Sequence, residues 1–88
     1  MTQLADSILT NLNPGEYGVI HAIHAEQALH QRLNALGFRI GNKIAMIRRA
    51  SFNGPLHVRI GATDIILRAN DAKRIQINLA QRIELNVA

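Results

Sequence analysis

Cysteine is absent from this 88-residue sequence, and aromatic residues make up only 3% of it. The lack of thiols excludes a disulfide framework and any thiolate metal site. With so few aromatic rings, we expect a core of Ile, Leu and Val. No apolar run reaches the length that spans a bilayer, and the N-terminus lacks the charged-then-apolar order of a signal peptide. These absences predict a cytoplasmic protein.

Groups that could carry out catalysis are also scarce. Ser7 and Ser51 are the only serines, the acidic residues are scattered, and no glycine-rich phosphate loop of the P-loop kind is present. Nucleophilic catalysis needs a nucleophile, a base and an orienting group close together. We therefore expect a protein that is not an enzyme and that carries no cofactor.

The length and the charge allow one small basic domain. At this size the whole chain, residues 1–88, is expected to form one domain. It carries 10 Lys and Arg against 6 Asp and Glu, a net charge of +4. The cations are dispersed, with Arg48-Arg49 and Lys73-Arg74 the only adjacent pairs, which favours a solvated face over a concentrated patch. Basic small domains also meet nucleic acid or acidic protein surfaces, so both stay open as partners.

A helix with a defined stop is the strongest local signal. The spacing of Leu29, Leu33 and Leu36 predicts one buried face of a helix over residues 25–36. Gly37 lies where a helix end favours positive φ, and Phe38 lies where a Schellman-type stop folds it back on Leu33.

The rest of the chain is predicted to be mainly β. We expect strands over residues 16–23, 43–50, 56–60, 64–68 and 75–79. One helical turn is expected at 70–73, with Asn70 or Asp71 as its N-cap. Residues 1–13 read as a helical or irregular lead-in. Gly18 indicates a bulge or a close backbone approach, and Asn53-Gly54 predicts a tight hairpin turn. Five short strands and one inserted α-helix predict a small, strongly bent barrel over about residues 12–79.

The C-terminal tail, residues 80–88, alternates apolar and polar side chains at Ile83, Leu85 and Val87. Such a segment can form a further strand on an exposed barrel edge, in the same chain or in a neighbour. A weak homo-oligomer is therefore a second expectation, and truncation after Ala80 is expected to change the oligomeric state or the stability.

A candidate partner-binding surface surrounds the predicted hairpin. Aromatic and Arg side chains dominate interface hot spots. Phe52 either anchors a partner from the hairpin tip or packs back over the end of the barrel. The candidate contact residues are Arg48, Arg49, Phe52, His57 and Arg59, with Arg32 on the helix as a lesser candidate.

His21 and His24 are the tempting metal ligands, but their spacing argues against a site. Residues three apart on a regular strand point to opposite faces, so only a bulge or a helix starting near His24 would bring them together. We expect no metal site.

The sequence resembles the FeoA family of small cytosolic proteins associated with bacterial ferrous iron uptake. The resemblance spans about residues 12–79 and depends on the order and spacing of matching positions. These are Leu12-Asn13-Pro14-Gly15-Glu16, Val19, Arg32-Leu33, Leu36-Gly37, Gly41, Gly54-Pro55, Val58, Ile66-Leu67-Arg68, Ala72 and Ile75. Ile40 departs from the pattern, since the family often carries proline there.

The resemblance implies an SH3-like β-barrel and a non-enzymatic, regulatory role through protein–protein interaction. The implied partner is FeoB, a membrane iron transporter with a cytosolic GTPase domain. The alternative function is a small basic barrel that binds nucleic acid. Its weakness is the count of aromatic residues, because Tyr17, Phe38 and Phe52 are few for a base-stacking platform. We therefore expect no nucleic-acid partner.

Overall fold

Six strands form one antiparallel sheet in the computed structural model, which describes residues 6–78. The sheet order is β1-β6-β2-β3-β4-β5. The strands are β1 (Asp6–Ile8), β2 (Tyr17–Ile23), β3 (Lys43–Arg49), β4 (Leu56–Ile60), β5 (Thr63–Leu67) and β6 (Ile75–Asn78). The helices are α1 (Gln27–Ala35) and the short α2 (Ala69–Ala72), with a 3-10 helix at Leu9–Asn11. The predicted mainly β architecture is therefore confirmed.

The N-terminal segment differs from its prediction. Residues 9–11 are helical, but Asp6–Ile8 form β1, which pairs with β6 from Asp6 opposite Asn78 to Ile8 opposite Gln76. The sheet therefore has a strand before the predicted five. The alternating tail at residues 83–87 lies outside the described residues.

The helix stop has the predicted geometry. Gly37 has a φ of +105°, its N–H donates to Asn34 O at 3.1 Å, and Phe38 N–H donates to Leu33 O at 3.0 Å. This hydrogen-bond pair is the Schellman motif, and Phe38 is fully buried. Leu29 and Leu33 are buried as predicted, but Leu36 is 43% exposed. The prediction for Leu36 was wrong because the helix ends at Ala35 and the chain turns away at Gly37.

The predicted cap of α2 was also wrong. Asn70 and Asp71 lie inside the helix, whose N-cap is Arg68, and no side chain caps it.

Gly18 marks a close backbone approach rather than a bulge. A Cβ on Gly18 would lie 2.5 Å from Asn78 O on β6. The register of β2 on β6 shifts two residues further on, between Ile20 and Ala22, which leaves His21 unpaired in a bulge.

One aliphatic core lies beneath the sheet, closed by α1 and by Phe38. Inward-facing residues of β3 to β6 alternate with half-buried or exposed ones, and on β5 Ile65 and Leu67 face inward. In residues 6–78 no helix has the length and apolar character needed to cross a membrane.

Candidate functional site

The β3–β4 hairpin presents the most exposed large apolar side chain of residues 6–78. Phe52 is 100% exposed, so the packed alternative for this residue was wrong. Gly54 N–H donates to Ser51 O at 3.1 Å, which closes a four-residue turn with Phe52 and Asn53 at its centre. Both central residues have positive φ, +58° and +60°.

The turn is shifted by one residue from the predicted Asn53-Gly54. Gly54 is needed for space rather than for positive φ, because a Cβ there would lie 2.6 Å from Ala50 Cβ. A bulky residue at positive φ is uncommon and is held at a cost of about 1–3 kcal/mol. The fold therefore places Phe52 in solvent and in an unfavourable backbone conformation at once.

Arg49 fastens the hairpin to the N-terminal segment. Its Nη1 donates to Leu12 O at 2.8 Å in a partly buried bond. Arg49 also lines an open groove of about 540 Å3 that runs beneath the hairpin tip past Thr10, Pro14 and Phe52. Arg48, its neighbour, is exposed and has no acidic partner in the described part of the chain.

His57, Arg59 and Asp64 form a hydrogen-bonded trio on the outer face of β4 and β5. Arg59 holds both carboxylate oxygens of Asp64, at 2.6 and 3.1 Å, and His57 Nε2 lies 2.9 Å from Asp64 Oδ2. The hydrogen bond from Arg59, followed by that from His57, lowers the pKa of Asp64 from 3.8 to about 2. The same carboxylate raises the pKa of Arg59. Because the ionised carboxylate only accepts, His57 Nε2 carries the proton that it donates.

The six candidate residues are thus brought together only in part. Arg48, Arg49 and His57 line one groove of about 370 Å3. Arg59 faces a separate groove, and Arg32 lies on α1, with its Nη2 4.0 Å from Asp71 Oδ2.

Sequence reasoning missed Ile66, which is 67% exposed on β5 beside that groove. The signal was present, because Ile66 lies between the inward-facing Ile65 and Leu67 and must point outward.

His21 and His24, the tempting ligands, build no metal cluster with the described residues around them. The bulge at His21 satisfies one condition for bringing it towards His24, but His24 Nε2 lies 3.0 Å from Gln76 Oε1. Residues 6–78 hold no group of three His, Cys, Asp or Glu side chains placed to bind one ion. The absence of a metal site stays a prediction.

The three aromatic residues lie in three different environments. Phe38 is buried, and the half-buried Tyr17 has Lys43 Nζ 4.7 Å above its ring. Only Phe52 is free to stack on a ligand, whereas single-strand binders offer successive stacking rings. The exposed hairpin and its cations therefore suit contact with a protein surface.

Comparison with known proteins identifies the family. The FeoA domain family matches residues 8–79. The chain belongs to the FeoA family, an accessory family associated with ferrous iron transport and not a known enzyme family.

Three relatives define the similarity. The chain is 30% identical over 71 residues to a candidate Fe(2+) transport protein A of Campylobacter jejuni, which covers 81% of this chain and 96% of that protein. It is 28% identical to part of a fusion of Fe(2+) transport protein A and the transporter FeoB in Porphyromonas gingivalis, covering 81% of this chain but 8% of the fusion.

The third relative is a solved structure, Stenotrophomonas maltophilia FeoA complexed with zinc, described as a prokaryotic SH3 domain protein. It is 31% identical, has a TM-score of 0.70, and covers 81% of this chain and 88% of that one. The predicted SH3-like fold is thereby confirmed.

Proposed function

We propose that this chain is a cytoplasmic, non-enzymatic regulator that binds the cytosolic GTPase domain of a FeoB-like iron transporter. The fusion protein of Porphyromonas gingivalis supports this partner, because it joins Fe(2+) transport protein A and the transporter FeoB in one polypeptide. A fusion keeps its two halves at high effective concentration, so contact between them needs only weak, reversible binding. We expect separate chains of this kind to bind reversibly as well. The proposed contact is the hairpin surface, defined as Arg48, Arg49, Phe52, His57 and Arg59.

The observation that carries the proposal is the full exposure of Phe52 at a positive φ. Nothing in residues 6–78 covers the ring, and the positive φ of the residue is unfavourable for a bulky side chain. An aromatic side chain that enters a partner's pocket removes a large apolar surface from water. Burial in a complex thus supplies the stabilisation that the free chain lacks at this position.

The charged members of the hairpin surface have unequal roles in this proposal. Arg48 has no acidic partner in residues 6–78 and is available to a carboxylate of the transporter. Arg49 and the His57–Arg59 pair are already held by Leu12 O and by Asp64. They shape the surface more than they attract, and Arg32 on α1 lies at its margin as a lesser contact.

A calorimetric titration of the whole chain against the purified GTPase domain tests the proposal. Phe52→Ala is expected to weaken binding at least tenfold, as removal of an aromatic hot spot does. Ile40→Ala is the matched control, because Ile40 is also exposed, at 69%, but lies in the α1–β3 loop. Arg48→Glu is a better charge probe than Arg49→Glu, since loss of Arg49 would also release Leu12.

Binding is expected to weaken as salt is raised, because exposed charges are screened and they govern encounter more than affinity. Absence of binding by the wild-type chain would refute the proposal. If that chain instead shifted single-stranded nucleic acid at physiological salt, the nucleic-acid alternative would replace it.

A further inference from the structure

A second exposed surface lies between α1 and β5 and adjoins the hairpin surface at Arg48. Ile66 and Leu36 line the same groove of about 220 Å3, which runs between the end of α1 and the last residues of β5. On its other side Ile66 borders the groove of about 370 Å3 that also contains Pro55 and Arg48. We call this continuous area the Ile66 surface; its members are Arg32, Leu36, Arg48, Pro55, Ile66 and Arg68.

The position of Ile66 is unusual for a sheet edge. In residues 6–78 β5 pairs with β4 alone, and no other backbone group of this region bonds to its outer edge. Soluble proteins commonly protect such an edge with charge, proline or a bulge. Here the nearest acidic side chain on the strand, Asp64, is neutralised by Arg59, and the next outward residue is an isoleucine that is 67% exposed.

Positive charge surrounds this apolar strip. Arg48 and Arg68 have no acidic partner in the described residues. Arg32 lies 4.0 Å from Asp71, a distance at which an exposed pair holds it only weakly. Asp71 is the single acidic residue that lines either groove, against four arginines, of which Arg49 already donates to Leu12 O. A complementary ligand is therefore acidic as well as apolar.

We propose that the Ile66 surface binds an extended protein segment in which acidic and apolar side chains alternate. The apolar side chains cover Ile66 and Leu36, and the carboxylates pair with Arg68, Arg48 and Arg32. The free backbone groups of β5 hold the segment extended, as in strand addition to a sheet edge. This inference does not depend on the transporter as partner, because the surface and its ligand chemistry are defined without it.

The test uses a fluorescein-labelled decapeptide of alternating Glu and Val, and its Lys and Val counterpart, titrated with the whole chain. The acidic peptide is expected to bind, whereas the basic peptide is not expected to bind. Ile66→Ala is expected to weaken binding about tenfold, because several CH2 groups lose their contact. Ile40→Ala is the matched control and should change binding less than twofold, since its exposure of 69% is nearly that of Ile66.

A charge reversal separates pairing from general attraction. Arg68→Glu is expected to weaken the acidic peptide at least tenfold and to strengthen the basic one, whereas Lys73→Glu, at an exposed cation outside the surface, should do neither. Backbone NMR shifts on binding should fall on β5 and the end of α1. The inference is overturned if the acidic peptide does not bind, if Ile66→Ala and Arg68→Glu leave its affinity unchanged, or if the shifts fall on the hairpin tip. It is likewise overturned if the chain covers this surface itself by dimerising, which diffusion measurements would reveal.

Discussion

Replacement of Gly18 by alanine tests the close approach of β2 to β6. The new Cβ would lie 2.5 Å from Asn78 O, 0.9 Å short of the 3.4 Å at which ordinary contact begins. Ile77 Cδ1, at 3.2 Å, can move aside, but the carbonyl belongs to the backbone of β6. Because β6 pairs with both β1 and β2, its carbonyl cannot shift without disturbing two ladders.

The expected loss follows from two opposing terms. Overpacking against a rigid neighbour costs up to about 3 kcal/mol, and the alanine restricts the unfolded chain, which returns up to about 1 kcal/mol. Gly18→Ala should therefore lower the free energy of unfolding by about 2 kcal/mol. For a domain of this size that corresponds to a fall in Tm of roughly 10 °C.

Urea denaturation followed by circular dichroism measures this loss, with Gly61 as the comparison. Gly61 has a φ of +61° and open space around it, so Gly61→Ala should cost only about 1 kcal/mol, from the left-handed conformation. Asparagine tolerates that conformation, so Gly61→Asn should recover stability while Gly18→Asn should be worse than Gly18→Ala. A Gly18→Ala protein as stable as wild type would refute the steric reasoning.

Four further outcomes are expected. Gly37→Val should destabilise by more than about 1 kcal/mol because of its positive φ, as measured by the same denaturation. The Asp64 pKa is lowered from 3.8 to about 2, so the stability that Asp64 contributes is full above about pH 4 and is lost as pH falls towards 2. Asp64→Asn should therefore remove the loss of stability between pH 4 and pH 2, as measured by acid unfolding. Calorimetry with Fe(II) or zinc should show no tight site, and one-to-one binding below micromolar that His21→Ala abolishes would contradict this. Phe52→Asn should raise stability by up to about 1 kcal/mol, since asparagine accepts positive φ, while it weakens binding of the GTPase domain.

Local chemistry explains what could be predicted from the sequence. The end of α1 depends on residues within six positions of one another, and Gly37 and Phe38 took the predicted conformation. The alternation in β4 and β5 is equally local, since the side chains of a strand must alternate between core and solvent. β1 had no such signal, because its three residues become a strand only by pairing with β6 about seventy positions later.

The candidate site shows the same division. The hairpin was predictable from Asn53-Gly54, although Phe52 and Asn53, one residue earlier, form the centre of the turn. The hydrogen bond from Arg49 to Leu12 O joins residues 37 positions apart, and no sequence pattern predicts it. Composition could therefore indicate how many cations the chain has, but not which of them are engaged within the fold.

The difference between engaged and unengaged cations matters for recognition. The net charge of +4 does not measure the positive charge that is available to a partner. Arg49 and Arg59 are held by groups of this chain, while Arg48 and Arg68 have no acidic partner in residues 6–78 and both flank Ile66. Since exposed charges more than about 10 Å apart are largely screened at 0.1 M salt, attraction depends on these local cations. A partner has to place carboxylates and apolar groups together in order to pair with these arginines and to cover Ile66. A phosphate backbone brings only the charge, so the position of the free arginines beside Ile66 favours a protein ligand even though the basic composition alone did not.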